Sequence, residues 1–273
     1  MVLFPNCKIN LGLHITRKRE DGYHDLETVF YPIGIKDVLE IIHTPNPEQA
    51  FSFSSSGLAI QGNPTDNLCA KAYQLLKKDF PQIPSIQMHL HKQIPMGAGL
   101  GGGSADGAFA LKLLNQLFHL GISEEQLILY ALELGSDCPF FIINQACIGK
   151  GRGELLERLT LDLSQYKFLI VNPGIHIGTG WAFAQITPKP VAHPLHELIN
   201  QPITTWKDSL SNDFEAPVMA AYPEIAQIKN ALYQEGALYA SMSGSGSTLY
   251  GIFEKGYSPK ISFPDHYMTA LVD

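Results

Sequence analysis

The chain reads as a mixed α and β protein, in one large or two small domains, on three observations. Residues Cys7 to Ile15 alternate apolar and polar at every step. Ser85 to His91 alternates again and leads, through five glycines between Gly97 and Gly103, into apolar residues at helical spacing. Beyond Gly153, strand-like and helix-like segments intermix. At 273 residues and 45% hydrophobic, the chain is long and apolar enough for proper cores.

In order along the chain, period two turns Cys7, Ile9, Leu11, Leu13 and Ile15 toward the core and leaves Lys8, Asn10, Gly12 and His14 on the other face. Read by itself, that second face is a solvated one. Asp21-Gly22 reads as a hairpin turn and Tyr23 to Phe30 as the return strand. Residues 44–66 are polar and rich in Pro, Ser and Asn, the composition of a surface hairpin or loop. Asn67 to Phe80 reads as a helix, and Ser85 to His91 as a half-buried strand. Ala105, Ala108, Leu111, Leu114, Leu117 and Phe118 define a helix with Gly121 as its expected left-handed stop. Ser123-Glu124-Glu125-Gln126 is a capping box that opens another helix, ending at Gly135. Gly149-Lys150-Gly151-Arg152-Gly153 reads as a hinge between two domains, 1–150 and 151–273. After it come a strand from Lys167 to Val171 and a helix within Ala221 to Gly236. A small-residue loop from Ser241 to Thr248 then precedes the strand Leu249 to Phe253.

The glycine run carries the chemistry. Glycine admits positive φ and has no Cβ, so several backbone N–H groups can turn inward and an anion can approach the main chain. The helix that follows adds its own free N–H groups and the positive end of its dipole. A flexible connector is the plain alternative, but a connector has no need of a strand before it and a helix after it. A Walker A loop requires a lysine before its Ser or Thr, and Gly103 is followed directly by Ser104. Gly97, Gly99 and Gly102 satisfy the dinucleotide pattern GxGxxG. That fold calls for a continuous apolar strand and an acid at the end of the next strand. Here the strand alternates, and Glu124 and Glu125 sit in a helix's first turn.

A net charge of −7 argues against a nucleic-acid or anionic-membrane surface. The sequence has neither an 18-residue apolar run nor a basic-then-apolar start, which predicts a cytoplasmic protein. Cys7, Cys69, Cys138 and Cys147 are scattered without a CxxC pair and should be reduced thiols. His89 with His91, and His193 with His196, lack a third ligand nearby, so no metal is expected at either pair. Asp137 ahead of Pro139 has the plain reading of a helix N-cap, Ser104 has the same, and Tyr23-His24 that of a packed hairpin pair.

The loop PMGAGLGGGSAD, an N-terminal strand and the late SGSGS loop resemble the three motifs of the GHMP kinase superfamily, over the whole chain. Within it, CKINLGL, DGYHDLETVF, KQIPMGAGLGGGSAD, LGSDCPFF and PGIHIGTGWAF, in that order, are similar to the members that phosphorylate a cytidine-diphosphate-linked methylerythritol. The resemblance implies a two-lobed α+β fold, an N-terminal ribosomal-protein-like lobe and a C-terminal ferredoxin-like lobe, with ATP and substrate in the cleft. It implies ATP-dependent transfer to a 2-hydroxyl in non-mevalonate isoprenoid synthesis, a small-molecule substrate as partner, and a monomer or homodimer. Asp137 matches the catalytic aspartate and Lys8 its partner lysine. Pro95, Met96, Gly97, Ala98, Gly99, Leu100, Gly101, Gly102, Gly103, Ser104 and Ala105 match the ATP-binding loop, and Asn67 and Lys92 positions near the adenine. Asn10, Tyr23, His24, Phe30, Thr179 and Phe183 match the cytidine-diphosphate site. Ser104 is the expected hydroxyl near Mg²⁺, an ion carried largely by the nucleotide, since no second metal carboxylate stands out. Two other readings stay open, a superfamily kinase for homoserine, mevalonate or a sugar, and a nucleotide binder without activity. DGYH and PGIHIGTGWAF speak against the first, and the presence of both Lys8 and Asp137 against the second.

Overall fold

The alternating N-terminal segment forms the strand Asn6–Lys18, and its first eight residues are buried on both faces. In the computed structural model, which describes residues 1–44, 51–60, 62–189, 191 and 193–273, two compact units interleave in sequence. One comprises Met1–Cys7, Ile35–Met96 and Gly101–Asn144, the other Lys8–Gly34, Gly97–Leu100 and Gln145–Asp273. The expected division at residue 150 follows chain order. The compact units do not, because the early strand His24–Lys36 pairs with the later Cys147–Lys150.

The first unit holds a four-stranded sheet in the order Val2–Leu3, Val38–His43, Ile86–Lys92, Phe51–Gly57. Phe51–Gly57 corrects the reading of residues 44–66 as a surface loop or hairpin. It is an edge strand, parallel to Ile86–Lys92 with Phe53 opposite Met88, while residues 45–50 and 61 lie outside the described residues. An exposed edge strand has no apolar face to fill, so its serines hide it from pattern reading. Ser54 and Ser56 hydrogen-bond the His89 ring at 2.8 and 2.9 Å, and Ser56 also meets His91 Nδ1 at 3.0 Å.

Among the described residues, four α-helices and the short 3-10 helix Pro64–Asp66 complete this unit. Leu68–Asp79 is capped by Asn67, whose side chain accepts from the Cys69 N–H at 2.9 Å. Glu124–Leu134 starts with the expected capping box, Gln126 N–H to Ser123 Oγ at 3.3 Å and Ser123 N–H to Gln126 Oε1 at 3.0 Å. The glycine-loop helix, Gly102–Leu117, packs against Leu68–Asp79 and against Cys138–Ile143. It stops earlier than expected, at Leu117, with His119 left-handed at φ 50° directly after the cap, and Gly121, left-handed as expected at φ 69°, follows two residues later. Asn115 explains this: its side chain donates to Ile122 O at 2.9 Å and accepts from Ile122 N–H at 3.1 Å, folding the connection back on the last turn.

In the second unit, Asn6–Lys18 and His24–Lys36 form the predicted hairpin, with Gly22 at φ 85° and Arg19 N–H donating to Tyr23 O at 2.8 Å. The glycine-rich run at Gly149–Gly153 is no hinge. It turns the chain between the antiparallel strands Cys147–Lys150 and Leu155–Arg158, with Lys150 opposite Leu155 and φ of 68° and 105° at Gly151 and Gly153. These strands extend the hairpin into one sheet. A second sheet runs in the order Tyr239–Met242, Leu249–Glu254, Tyr166–Asn172, Met268–Val272, all antiparallel. Helices Glu215–Ala221 and Pro223–Gln234 bury Val218, Ile225, Ile228 and Leu232 in one core with Val171, Met242 and Phe253. All four cysteines are buried, and none is in a disulfide among the described residues. Among the described residues no helix is long and apolar enough to cross a membrane.

Candidate active site

The glycine loop alternates its backbone handedness. Gly97, Gly99 and Gly101 take φ of 63°, 79° and 69°, while the side chains of Ala98 and Leu100 between them are buried as anchors. The carbonyls face protein donors. Ala98 O accepts from Thr248 N–H at 3.3 Å, Gly99 O from Lys8 Nζ at 3.0 Å and Ser243 Oγ at 2.8 Å, and Leu100 O from Lys8 N–H at 3.0 Å. Among the described residues, no N–H from Gly97 to Gly103 donates to a protein acceptor. Within the second unit, carbonyls tied back and N–H groups left over are what an anion cradle needs of Gly97–Leu100; within the first, Gly102–Leu117 has the free N–H groups of a helix start.

Glycine is required where the loop meets its support. A Cβ on Gly99 would collide with the Ser243 carbonyl, at a φ that side chains rarely adopt. Gly99→Ala is therefore expected to destabilise the protein by about 1–3 kcal/mol and to weaken nucleotide binding, read by thermal unfolding and nucleotide titration. An unchanged nucleotide Kd would leave the loop a connector.

The helix's N-cap is Gly101, so Ser104 is not the cap. Ser104 lies in the first turn and hydrogen-bonds Cys138, a thiol that burial pushes up to about 12 despite that bond. Cys138 opens the helix Cys138–Ile143, and Asp137 precedes it in the N-cap position without making a side-chain cap hydrogen bond. The capping reading of Asp137 thus falls. Within the first unit, the anion-binding end of the loop helix stands beside a half-buried carboxylate that the helix does not use.

Lys8 and Asn10, in the second unit, are buried, at 4% and 2% exposure, not solvated. Lys8 Nζ donates to Asn10 Oδ1 at 2.7 Å and lies 5.4 Å from the Phe30 ring centre. Asn10 donates through Nδ2 to Thr28 Oγ1 at 2.9 Å, and Thr28 in turn to Gly12 O at 2.6 Å. Asn10 N–H donates to Ser243 Oγ at 3.2 Å. This network fixes the lysine, and it uses the Asn10 side chain as a support for Lys8 and Thr28. Sequence reading missed Thr28 and the support role of Ser243, although Ser243 stands in the SGSGS loop.

Of the other positions expected to meet the cytidine, the structure brings His24 and Phe183 together, stacked at 4.9 Å and 20°. Phe183 meets Phe214 edge-on at 4.9 Å. Thr179 starts the helix Thr179–Ala184 that carries Phe183, with its hydroxyl 3.4 Å from Ser245 Oγ. Tyr23 is 53% exposed, with the Arg152 guanidinium 4.2 Å from its ring centre. Phe30 is only 3% exposed, and a Cβ on Gly149 would strike its ring.

An open cavity in the first unit is lined by Phe53, Ile60, Asn63, Asn67, Leu68, Met96, Gly103 and Asp106. Asn67 lines this cavity together with Gly103 and Asp106 of the loop's helix. Lys92 does not line it. Its ammonium is 0% exposed and ion-paired with Asp37, itself fully buried, and with Asp106 at 2.8 Å. Asp37 also accepts from the N–H groups of Gln93, at 2.5 Å, and Ile94, at 2.9 Å, which pins the approach to the loop. Burial raises the Asp106 carboxyl to about 8, against the pull of Lys92, with Asp37 adding to the rise. Lys92 therefore supports the loop from beneath, and the expectation that it reaches the adenine is corrected.

The buried Asp37 carboxylate and the Asp106 carboxyl both converge on one cation here, so Lys92→Met, which leaves Asp37 buried without its partner, should cost roughly 3–5 kcal/mol of unfolding free energy, measured in urea. The raised Asp106 group favours folding below its ordinary range and loses that contribution as pH rises through about 8. Asp106→Asn should accordingly flatten the decline in stability between about pH 4 and pH 8.

Models of the GHMP kinase N-terminal domain and of the GHMP kinase C-terminal domain match residues 67–145 and 195–262. The chain is 52% identical to 4-diphosphocytidyl-2-C-methyl-D-erythritol kinase of Bacteroides thetaiotaomicron, covering 93% of this chain and 92% of that protein. Its fold matches a crystal structure of 4-(cytidine 5'-diphospho)-2C-methyl-D-erythritol kinase with a TM-score of 0.79 at 28% identity, over 92% of this chain and 90% of the other. A homoserine kinase structure from Cytophaga hutchinsonii shares the fold alone, with a TM-score of 0.71 at 15% identity over 98% and 95% of the two chains. The two matched domains and the relatives so named define the class, a phosphotransferase. The chain belongs to the GHMP kinase family.

Proposed function

We propose that this protein transfers the γ-phosphoryl group of ATP to the 2-hydroxyl of 4-diphosphocytidyl-2-C-methyl-D-erythritol, a step of non-mevalonate isoprenoid synthesis. The observation that carries the chemistry is the loop whose carbonyls are tied back and whose N–H groups from Gly97 to Gly103 are left for an anion. The acceptor rests on the relatives, 52% identical in one case and so named.

In this reading the triphosphate lies on the loop N–H groups and the first turn of Gly102–Leu117, and the adenosine enters the cavity bounded by Asn67 and Met96. Phosphoryl transfer asks mainly for positioning and charge neutralisation. Asp137 accepts the proton of the attacking hydroxyl, and Lys8 steadies the developing negative charge. Tyr23, His24, Thr179 and Phe183 receive the cytidine diphosphate. Among the described residues no three His, Cys, Asp or Glu side chains are placed to hold a metal, and Ser104 is engaged with Cys138. Mg²⁺ fits as an ion held by the nucleotide phosphates, where it would neutralise their charge.

The test is ADP release against a panel of acceptors that includes the cytidyl substrate, methylerythritol 4-phosphate, homoserine and mevalonate. Turnover confined to the cytidyl substrate is expected, and efficient turnover of another acceptor overturns the assignment.

A further inference from the structure

Asn212 is buried at 3% exposure, and each polar atom of its side chain is engaged. Its Nδ2 donates to Met242 O and to Gly244 O, both at 2.8 Å, and its Oδ1 accepts from Phe214 N–H at 3.0 Å. Those two carbonyls flank Ser243. The segment that carries Asn212 is itself tied to the strand Asn6–Lys18. Leu13 N–H donates to Ser211 O at 2.9 Å, Asp213 N–H to Leu13 O at 2.9 Å, and Ile15 N–H to Asp213 Oδ2 at 2.7 Å. One buried amide therefore joins the strand of Lys8 to the turn that carries Ser243.

What that turn does follows from the planarity of the peptide bond. A trans peptide unit holds its C=O and N–H on opposite sides, so a pinned carbonyl also aims the N–H of the next residue. Ala98 O accepts from Thr248 N–H at 3.3 Å, which sends the Gly99 N–H the other way. Gly99 O accepts from Ser243 Oγ at 2.8 Å and Lys8 Nζ at 3.0 Å, which does the same for the Leu100 N–H. Ser243 N–H donates to Thr248 O at 2.9 Å, so both pins belong to one turn. Asn212 holds that turn from outside, at the carbonyls before and after Ser243. The role needs an amide, since two buried carbonyls have to be met by two donors on one group.

We propose that Asn212 is a positioning residue for phosphoryl transfer: by fixing the turn around Ser243 it sets the direction of the Gly99 and Leu100 N–H groups that receive the nucleotide phosphates. The inference rests on the function proposed above and extends it to a residue that acts through Ser243 and not by contact with a reacting group.

Calorimetric titration of the non-hydrolysable analogue β,γ-imido-ATP into the wild type, Asn212→Asp, Ser243→Ala and the double variant tests this. Asn212→Asp keeps the shape and the acceptor for Phe214 N–H but loses both donors, so the Kd of the analogue should rise roughly tenfold. Ser243→Ala should weaken binding to a similar extent. Because both changes act on one carbonyl, the double variant should bind within about twofold of the weaker single, where independent effects would multiply. Asn212→Ser retains one donor and should fall between wild type and Asn212→Asp, which keeps the proposal testable where Asn212→Asp does not fold. Lys229→Met, which removes the partner 2.7 Å from Glu215 on the same segment, is the control for plain loss of stability. Its unfolding midpoint should fall while the Kd of the analogue stays within about twofold. Multiplying effects in the double variant, an unchanged Kd in both Asn212 variants, or equal weakening by Lys229→Met would overturn the positioning role. A wild type that does not bind the analogue would instead overturn the function on which that role rests.

Discussion

Asp137→Asn is expected to lower kcat by roughly 10²–10⁴-fold, the usual worth of a positioned proton acceptor, while ATP still binds. The substitution is nearly isosteric, so it tests charge and basicity, not shape. It also leaves the helix Cys138–Ile143 intact, because the Asp137 side chain makes no cap hydrogen bond there, and Pro139 still occupies its first turn. Ser104 and Cys138 hydrogen-bond each other beside Asp137, whose charge adds to the rise of the Cys138 thiol. Steady-state kcat together with a nucleotide titration reads the result. Near wild-type turnover would remove Asp137 from the mechanism. Lys8 is a poorer first target, because it holds Gly99 O and Asn10 Oδ1 as well, so its loss disturbs the loop along with the charge.

Much of this site was legible in the sequence because its parts are local. The glycine loop, its helix, the capping box and the Asp21-Gly22 hairpin each follow from a few consecutive residues. What escaped is non-local. Alternation from Cys7 to Ile15 locates a strand, but the rule that polar residues face water fails at Lys8 and Asn10, whose partners Thr28, Gly99 and Ser243 come from distant segments. Nothing local to Asp37 marks it as the buried partner of Lys92, which stands 55 residues further along the chain. The edge strand Phe51–Gly57 acquires its conformation from the neighbour it pairs with, not from its own serines. Two glycine readings shifted for a related reason. His119 takes the left-handed stop because Asn115 clamps Ile122, and Gly149 to Gly153 is a turn because its flanks pair. Glycine marks where the backbone can turn, and partners decide what the turn does.

The largest expected effect concerns the acceptor. The cytidyl-diphosphate form of methylerythritol should be phosphorylated efficiently, and bare methylerythritol 4-phosphate should fall short in kcat/KM by about 10⁴–10⁵-fold, the range open to a site that hydrogen-bonds a group its poorer substrate lacks. Hydrophobic shape alone discriminates far less, so a ratio of that size would locate polar recognition of the base. His24 is suited to it, since its ring stacks on Phe183 at 4.9 Å, and a stacked imidazole still presents both nitrogens in its plane to a base edge. Binding energy gained at a remote nucleotide can hold the 2-hydroxyl in line with the phosphoryl group, which is why the handle should act on turnover as well as on KM. His24→Ala should then raise KM for the cytidyl substrate and leave KM for ATP nearly unchanged, since the adenosine cavity lies among Phe53, Asn67 and Met96. Equal kcat/KM for the two acceptors would sink the assignment and point to a kinase of simple alcohols or sugars.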